Sequence, residues 1–304
     1  MKLKIYILIA FLFTACQTDP AAQKKVTIPE TFTQKVLIEL FNGAWCGFSP
    51  DGDLMVKEIS DFVPSGRYDY VQYHIRDQMT IVDDTEIKSK YMNSIGIPSA
   101  MVNRLDGKPM NRYTEFVPYP SYNPQKNNAW LISTLSFLDQ DAACGLAIDA
   151  RERKGNIVKL KVSLGIGPNG MSTNPHYLTV LTYEKEMSGS GTGWDYVNYM
   201  SKSSNAHLGP EHPHYNDPNP IKNYVHTNAV RAVLSNNPLG DALEASSLSS
   251  GAYTEFNYEL DISNFGEDLK FVAIVHEQKD EVFNPVLAIR NVQFVDLESF
   301  QDFD

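Results

Sequence analysis

The chain has 304 residues, of which 42% are hydrophobic and 21% charged, with Lys+Arg 26 against Asp+Glu 37 and a net charge of -11. A surface this acidic repels nucleic-acid phosphates and anionic lipid headgroups, which excludes binding to either by charge alone. Three cysteines among 304 residues are too few for a disulfide-stapled scaffold.

At the start, Lys2 and Lys4 precede an apolar run from Ile5 to Phe13, then Thr14, Ala15 and Cys16. A short basic region, an apolar core too short to span a bilayer and small residues before a cut describe a secretory leader over residues 1–15. Cys16 directly after the cut resembles the lipobox read by lipoprotein signal peptidases, with Phe13 where Leu is usual. That motif implies acyl chains on Cys16 and a membrane anchor, each buried methylene contributing about 0.8 kcal/mol. Loss of Lys2 and Lys4 leaves 24 basic against 37 acidic residues, a net charge of -13. Residues 16–25 are small and polar and read as a flexible tether. The remaining length suits two domains, with a boundary expected at 140/141.

Within residues 26–140, Val36 to Phe41 is a buried-strand run, followed by Asn42-Gly43-Ala44-Trp45-Cys46-Gly47-Phe48-Ser49-Pro50 and an amphipathic stretch with Met55, Ile59 and Phe62 on one face. This strand, loop and helix place the Cys46 sulfur at a helix N-terminus, where unpaired N–H groups stabilise a thiolate. Tyr68 to Ile75 alternates like a strand, and Asp84 to Met92 forms a helix capped by Asp84 or Thr85. Ile97-Pro98-Ser99 leads into a strand from Ala100 to Asn103, Asp106-Gly107 marks a hairpin turn, and Asn127 to Leu138 has helical spacing.

In this order the elements resemble the thioredoxin fold, which implies a cis bond at Pro98 facing the Cys46 loop. Thioredoxins carry a second Cys three residues after the first, and Ser49 stands there. Without a resolving thiol a mixed disulfide on Cys46 is not released internally. Cys-Gly-Phe-Ser also resembles the loop of monothiol glutaredoxins, which use glutathione and hold an iron-sulfur cluster; Trp45 and the secretory leader weigh against that reading, and no cofactor is expected. Cys144 is either a distant partner for Cys46 or a small buried hydrophobe on the next strand, the latter favoured.

Residues 141–304 change to period two. Val158, Leu160, Val162 and Leu164 alternate with polar residues, and Leu146–Ala150, Tyr177–Tyr183, Tyr253–Leu260, Leu269–His276 and Ala288–Val295 are further strands, so an antiparallel β-sandwich is expected. Gly165, Gly167 and Gly170 match a dinucleotide fingerprint in spacing only, because no helix follows. The polar stretch from Glu184 to Lys222 reads as one long loop. Its His207, His212 and His214 with Glu211 and Asp217 offer metal-ligand chemistry, but their spacing matches no known ligand set and no metal site is assigned. The run from Asn223 to Leu234, then Pro238-Leu239-Gly240-Asp241, after a thioredoxin-like unit behind a lipobox, resembles the twenty-eight-kilodalton outer-membrane protein family of the Bacteroidota. That resemblance implies an outer-membrane lipoprotein. Trp194, His226 and Arg231 are the ligand-contact candidates of this half; the bland reading of His226 and Arg231 is that they tie a loop to the sandwich.

Two functions are therefore carried forward. The first is a binding or scaffold protein at the envelope, held by acyl groups on Cys16, contacting an unknown protein or ligand and no nucleic acid. The second is a monothiol oxidoreductase using Cys46, with Trp45, Ser49 and Pro98 around it.

Overall fold

The computed structural model describes residues 28–82, 85–91, 96–204, 206–279 and 286–304. The leader, Cys16, the tether and the capping position Asp84 lie outside the described residues.

Val36–Asn42 (β1) is buried at all seven positions because both faces of its sheet are covered. It is followed by Ser49–Glu58 (α1), Tyr68–His74 (β2), Thr85–Tyr91 (α2), Ser99–Val102 (β3) and Ala129–Leu138 (α3). β1 pairs parallel with β2 and antiparallel with β3, the core pairing of a thioredoxin-like unit. Val36, Ile38 and Leu40 face α1 and α3, meeting Met55, Ile59, Trp130 and Leu131. Asn128 caps α3, accepting from the N–H groups of Trp130 and Leu131. Phe62, expected on the buried face of α1, is 37% exposed, because α1 gives way to a 3-10 turn at Ile59–Asp61 and the residues beyond leave the helical phase.

The hairpin expected at Asp106-Gly107 does not form a second strand. Leu105–Gly107 is a single 3-10 turn, and the returning chain meets β3 only at the bridge from Ala100 to Met110. Asn103 and Arg104 both take left-handed conformations (φ 46° and 51°). Arg104 thereby turns into the core, where its guanidinium pairs with Glu39 (2.6 and 2.8 Å) and both side chains are fully buried.

The later strands are Cys144–Lys154 (β4), Ile157–Ile166 (β5), His176–Ser188 (β6), Val225–Val233 (β7), Tyr253–Asp261 (β8), Leu269–Lys279 (β9) and Val286–Asp296 (β10). One sheet runs β8-β5-β4 and ends on Phe300–Gln301. Its inner residues, among them Leu146, Ile148, Val162 and Leu164, pack on Leu178, Phe271 and Val275 of β6 and β9, a face-to-face arrangement of two sheets. Gly165 to Gly170 joins β5 to β6 with no helix, Gly170 taking φ +69°.

The second sheet does not stop at the expected 140/141 boundary. Its order is β10-β9-β6-β7-β2-β1-β3, so β7, from late in the chain, lies beside β2, from early in it. The joint is one parallel register pair, Gln72 opposite Ala229, reinforced where Asn228 donates to the Tyr70 carbonyl (2.8 Å) and Tyr183 to Asp69 (2.7 Å). One apolar cluster crosses it, from Leu37, Phe41 and Val71 to Leu181, Val230 and Ile274. The sheet is rolled enough for β10, at one edge, to reach the other: Ile289 N–H donates to the Asn103 carbonyl (2.9 Å) and Lys35 N–H to Asn291 (3.1 Å).

Candidate functional site

The Cys46 loop leaves β1 at Asn42, whose buried side chain accepts from Gly43 N–H (3.0 Å) and donates to Gln72 (2.9 Å) and Tyr196 (2.5 Å). Gly43 has no room for a side chain: a Cβ there would lie 2.9 Å from Trp45 Nε1. Trp45 Nε1–H donates to the Ile75 carbonyl (2.6 Å) while its ring stays 49% exposed. Cys46 lies two residues before the N-cap of α1 and is 8% exposed. Its Sγ–H donates to the Ile97 carbonyl (3.2 Å), a bond that only the protonated thiol can make. The Ile97–Pro98 bond is cis, and Pro98 packs on Gly52 of α1, where a Cβ would come within 2.7 Å of the proline ring. Ser49, at the resolving position, is fully buried and its hydroxyl has no hydrogen-bond partner among the described residues.

Cys144 stands apart from this loop, on β4 in the apolar core of the sandwich, and burial pushes its thiol up to about 12. Both cysteines are free thiols.

Residues 189–204 and 206–224, between β6 and β7, form a strap over the Cys46 loop. Val197 N–H donates to the Ala44 carbonyl and Tyr199 N–H to the Gly47 carbonyl, each at 2.9 Å. The Tyr199 ring lies on Gly47, where a Cβ would be 2.3 Å from it. Tyr199 also meets Phe48 edge-on (5.5 Å), and His207 closes on the same ring at 4.9 Å. Further ties reach α1. Tyr224 hydroxyl donates to Asp53 (2.7 Å), and His212 Nε2 contacts Asp51 at 3.1 Å. His212 Nδ1 accepts the His214 N–H (3.0 Å), so Nε2 carries the proton and the imidazole donates to the carboxylate. Asp51 is held as well by Arg112 (2.6 Å) and Tyr113.

Beneath the strap lies a second histidine pair. His74 Nδ1 bonds Asp77 at 2.8 Å, and the same carboxylate oxygen accepts Ala44 N–H. Burial raises the Asp77 carboxyl, but the hydrogen bond and charge of His74 and the Ala44 and Met79 N–H groups outweigh it, and the net shift is downward. His226 donates through Nε2 to the Trp194 carbonyl (2.8 Å) and meets His74 edge-to-face at 5.4 Å. Burial first, then the neighbouring His74, lowers His226 to about 4.

The remaining sites from the sequence separate. His226 and Trp194 meet where the strap joins β7, His226 donating to the Trp194 carbonyl. Arg231 is distant in role: it forms an ion pair with Glu184 (2.9 Å), without hydrogen-bond alignment, and stacks over Phe265. His207, His212 and His214 serve three different contacts, and no group of three or more His, Cys, Asp or Glu placed to hold a metal occurs among the described residues. Sequence reasoning missed Asp51, His74, Asp77, Tyr199 and Tyr224. Only the acidic opening of α1 hinted at any of them.

No protein-family model matches the chain, and no curated protein matches it at a significant level. Among solved structures it is similar to HBP35 of Porphyromonas gingivalis, with a TM-score of 0.61 and 17% identity, over 89% of this chain and 77% of that one. At that identity the likeness is one of fold.

Proposed function

We propose that this chain is an envelope lipoprotein of the Bacteroidota type, anchored through acyl groups on Cys16 at the outer membrane, in which a thioredoxin-like unit and a β-sandwich act together as a binding or scaffold protein. The observation that carries this reading is the strap. Its backbone occupies the Ala44 and Gly47 carbonyls and its Tyr199 covers Gly47, so the face on which a thiol-exchange partner would lie is already filled. Attack by or on a sulfur needs access along the S–S axis, and Cys46 retains 8% exposure. Ser49 supplies no electrons to release a mixed disulfide. The organism of the structural neighbour agrees with the sequence resemblance.

The monothiol reading keeps one observation in its favour: Cys46 stands against the Pro98 loop, bonded to the Ile97 carbonyl. Pull-down of the acylated full-length protein from its native membrane after cross-linking separates the two. Binding predicts a partner retained by Cys46→Ala and lost when residues 200–218 are replaced by a short Gly-Ser turn. If Cys46→Ala alone abolishes retention, the thiol is the point of attachment and the scaffold reading fails. Cys16→Ser should release the protein from membranes in either case; continued sedimentation with them would remove the acyl anchor from the proposal.

A further inference from the structure

Five of the seven histidines in the chain, His74, His207, His212, His214 and His226, lie where the strap meets the Cys46 unit. Two of them are buried with one nitrogen each unused. His74 is 1% exposed and bonds Asp77 through Nδ1, while Nε2 has no hydrogen-bond partner; His226 is 1% exposed and bonds the Trp194 carbonyl through Nε2, while Nδ1 has none. On His226, a bare Nδ1 lone pair is tolerated in such a place. A proton on it adds a charge and an N–H donor with nothing to accept it.

We propose that the strap is an acid-sensitive cover, in which protonation of the buried His226, beside His74, releases residues 189–204 and 206–224 from the Cys46 face. The groups around the pair come from every neighbouring element. Asp77 follows β2 and is already occupied by His74 and by the Ala44 and Met79 N–H groups. Asp53 of α1 is taken by Gln72, Lys57 and Tyr224. From the strap come the Tyr196 and Tyr224 rings (4.8 and 5.1 Å from His226) and the Trp194 carbonyl. Opposite His226, β6 places Met187. Asp53 and Asp77 favour a charge on His226 without hydrogen-bonding it, and burial together with the neighbouring His74 ring outweighs them.

The sign follows from linkage. With the strap open, His226 titrates near its ordinary 6.5, and with it closed near 4. The open form therefore binds the proton more tightly, and closure is fully favoured above pH 6.5 and weakened as the pH falls from there toward 4. The full span corresponds to a shift of roughly 300-fold in the open-to-closed ratio.

The significance of a cover depends on the binding reading above, but its opening does not, and the experiment reads the strap alone. Hydrogen exchange of the full chain, corrected for intrinsic rates, is followed at the Val197 and Tyr199 amides and at the sandwich amides of Phe271 and Val272 from pH 7.5 to 4.5. Strap protection should fall at least tenfold while sandwich protection holds, and His226→Gln, which keeps an N–H for the Trp194 carbonyl, should remain closed throughout. Unchanged strap protection in the wild type, an equal fall in His226→Gln, or loss in both regions together would each overturn the proposal. Should His226→Gln fail to fold, imidazole resonances of the wild type decide: His226 must take its proton together with loss of the strap amides, and protonation with the strap still closed refutes the mechanism. A partner retained at neutral pH by a strap that never opens would sink this inference and leave the scaffold reading standing.

Discussion

At the scale of single residues, the most exacting contacts are those with no room or no alternative partner. Glu39 and Arg104 are both fully buried and bidentate, with Tyr73 donating to the same carboxylate (3.1 Å). Glu39→Gln leaves the guanidinium without a counter-charge in the core, and urea unfolding of the variant should show a loss of about 3–5 kcal/mol. Gly47 is glycine because Tyr199 lies on it. Gly47→Ala must push the ring aside, and overpacking of this kind costs about 1–3 kcal/mol. The strap rather than the core bears that cost, so alkylation of Cys46 at pH 7.5 should quicken by about tenfold for each 1.4 kcal/mol lost, with little change in unfolding midpoint. Alkylation at the wild-type rate would mean that Tyr199 does not guard the thiol.

At the scale of elements, the strap and β7 account for most of what the sequence did not disclose. The strands β5 and β8 were legible because they alternate between a face on the other sheet and an outer face, and β6 and β9 as apolar runs buried on both faces. The Cys46 loop, α1 and the Pro98 turn were legible through residues whose chemistry is local. β7 was not read as a strand: His226, Asn228 and Arg231 interrupt any alternation, and Asn228 takes φ +52°. Its burial comes from lateral neighbours β6 and β2, which no local pattern announces. The strap was likewise read as a bare loop, since its order comes from partners some 150 residues away, such as Tyr224 on Asp53 (|i−j| 171) and His212 on Asp51 (|i−j| 161). His212→Ala removes a hydrogen bond to a carboxylate that Arg112 and Tyr113 still hold. The expected cost is about 1.5–3 kcal/mol, visible as faster proteolysis between residues 200 and 218, with the sandwich intact.

At the scale of the whole molecule, the change of pattern near residue 140 marks a change of secondary structure without a break in the sheet. β2 has β7 as its outer neighbour, and the cluster around Leu37, Phe41 and Val71 is completed by Leu181, Val230 and Ile274. A fragment comprising residues 26–140 should therefore lack fixed packing: retained far-ultraviolet but weak near-ultraviolet circular dichroism is the expected signature. A sharp cooperative melt of that fragment would show the unit to be self-sufficient.

The place of β7 also bears on how the chain acquires its shape. His74 ends β2, and the strand that seals its open side begins 151 positions later at Val225. A polypeptide that emerges from its N-terminus holds that side unzipped while the intervening stretch arrives, and bare strand margins of this kind invite pairing with other chains. Protection in that interval, by a chaperone or by rapid arrival of the remainder, becomes a requirement of the topology itself.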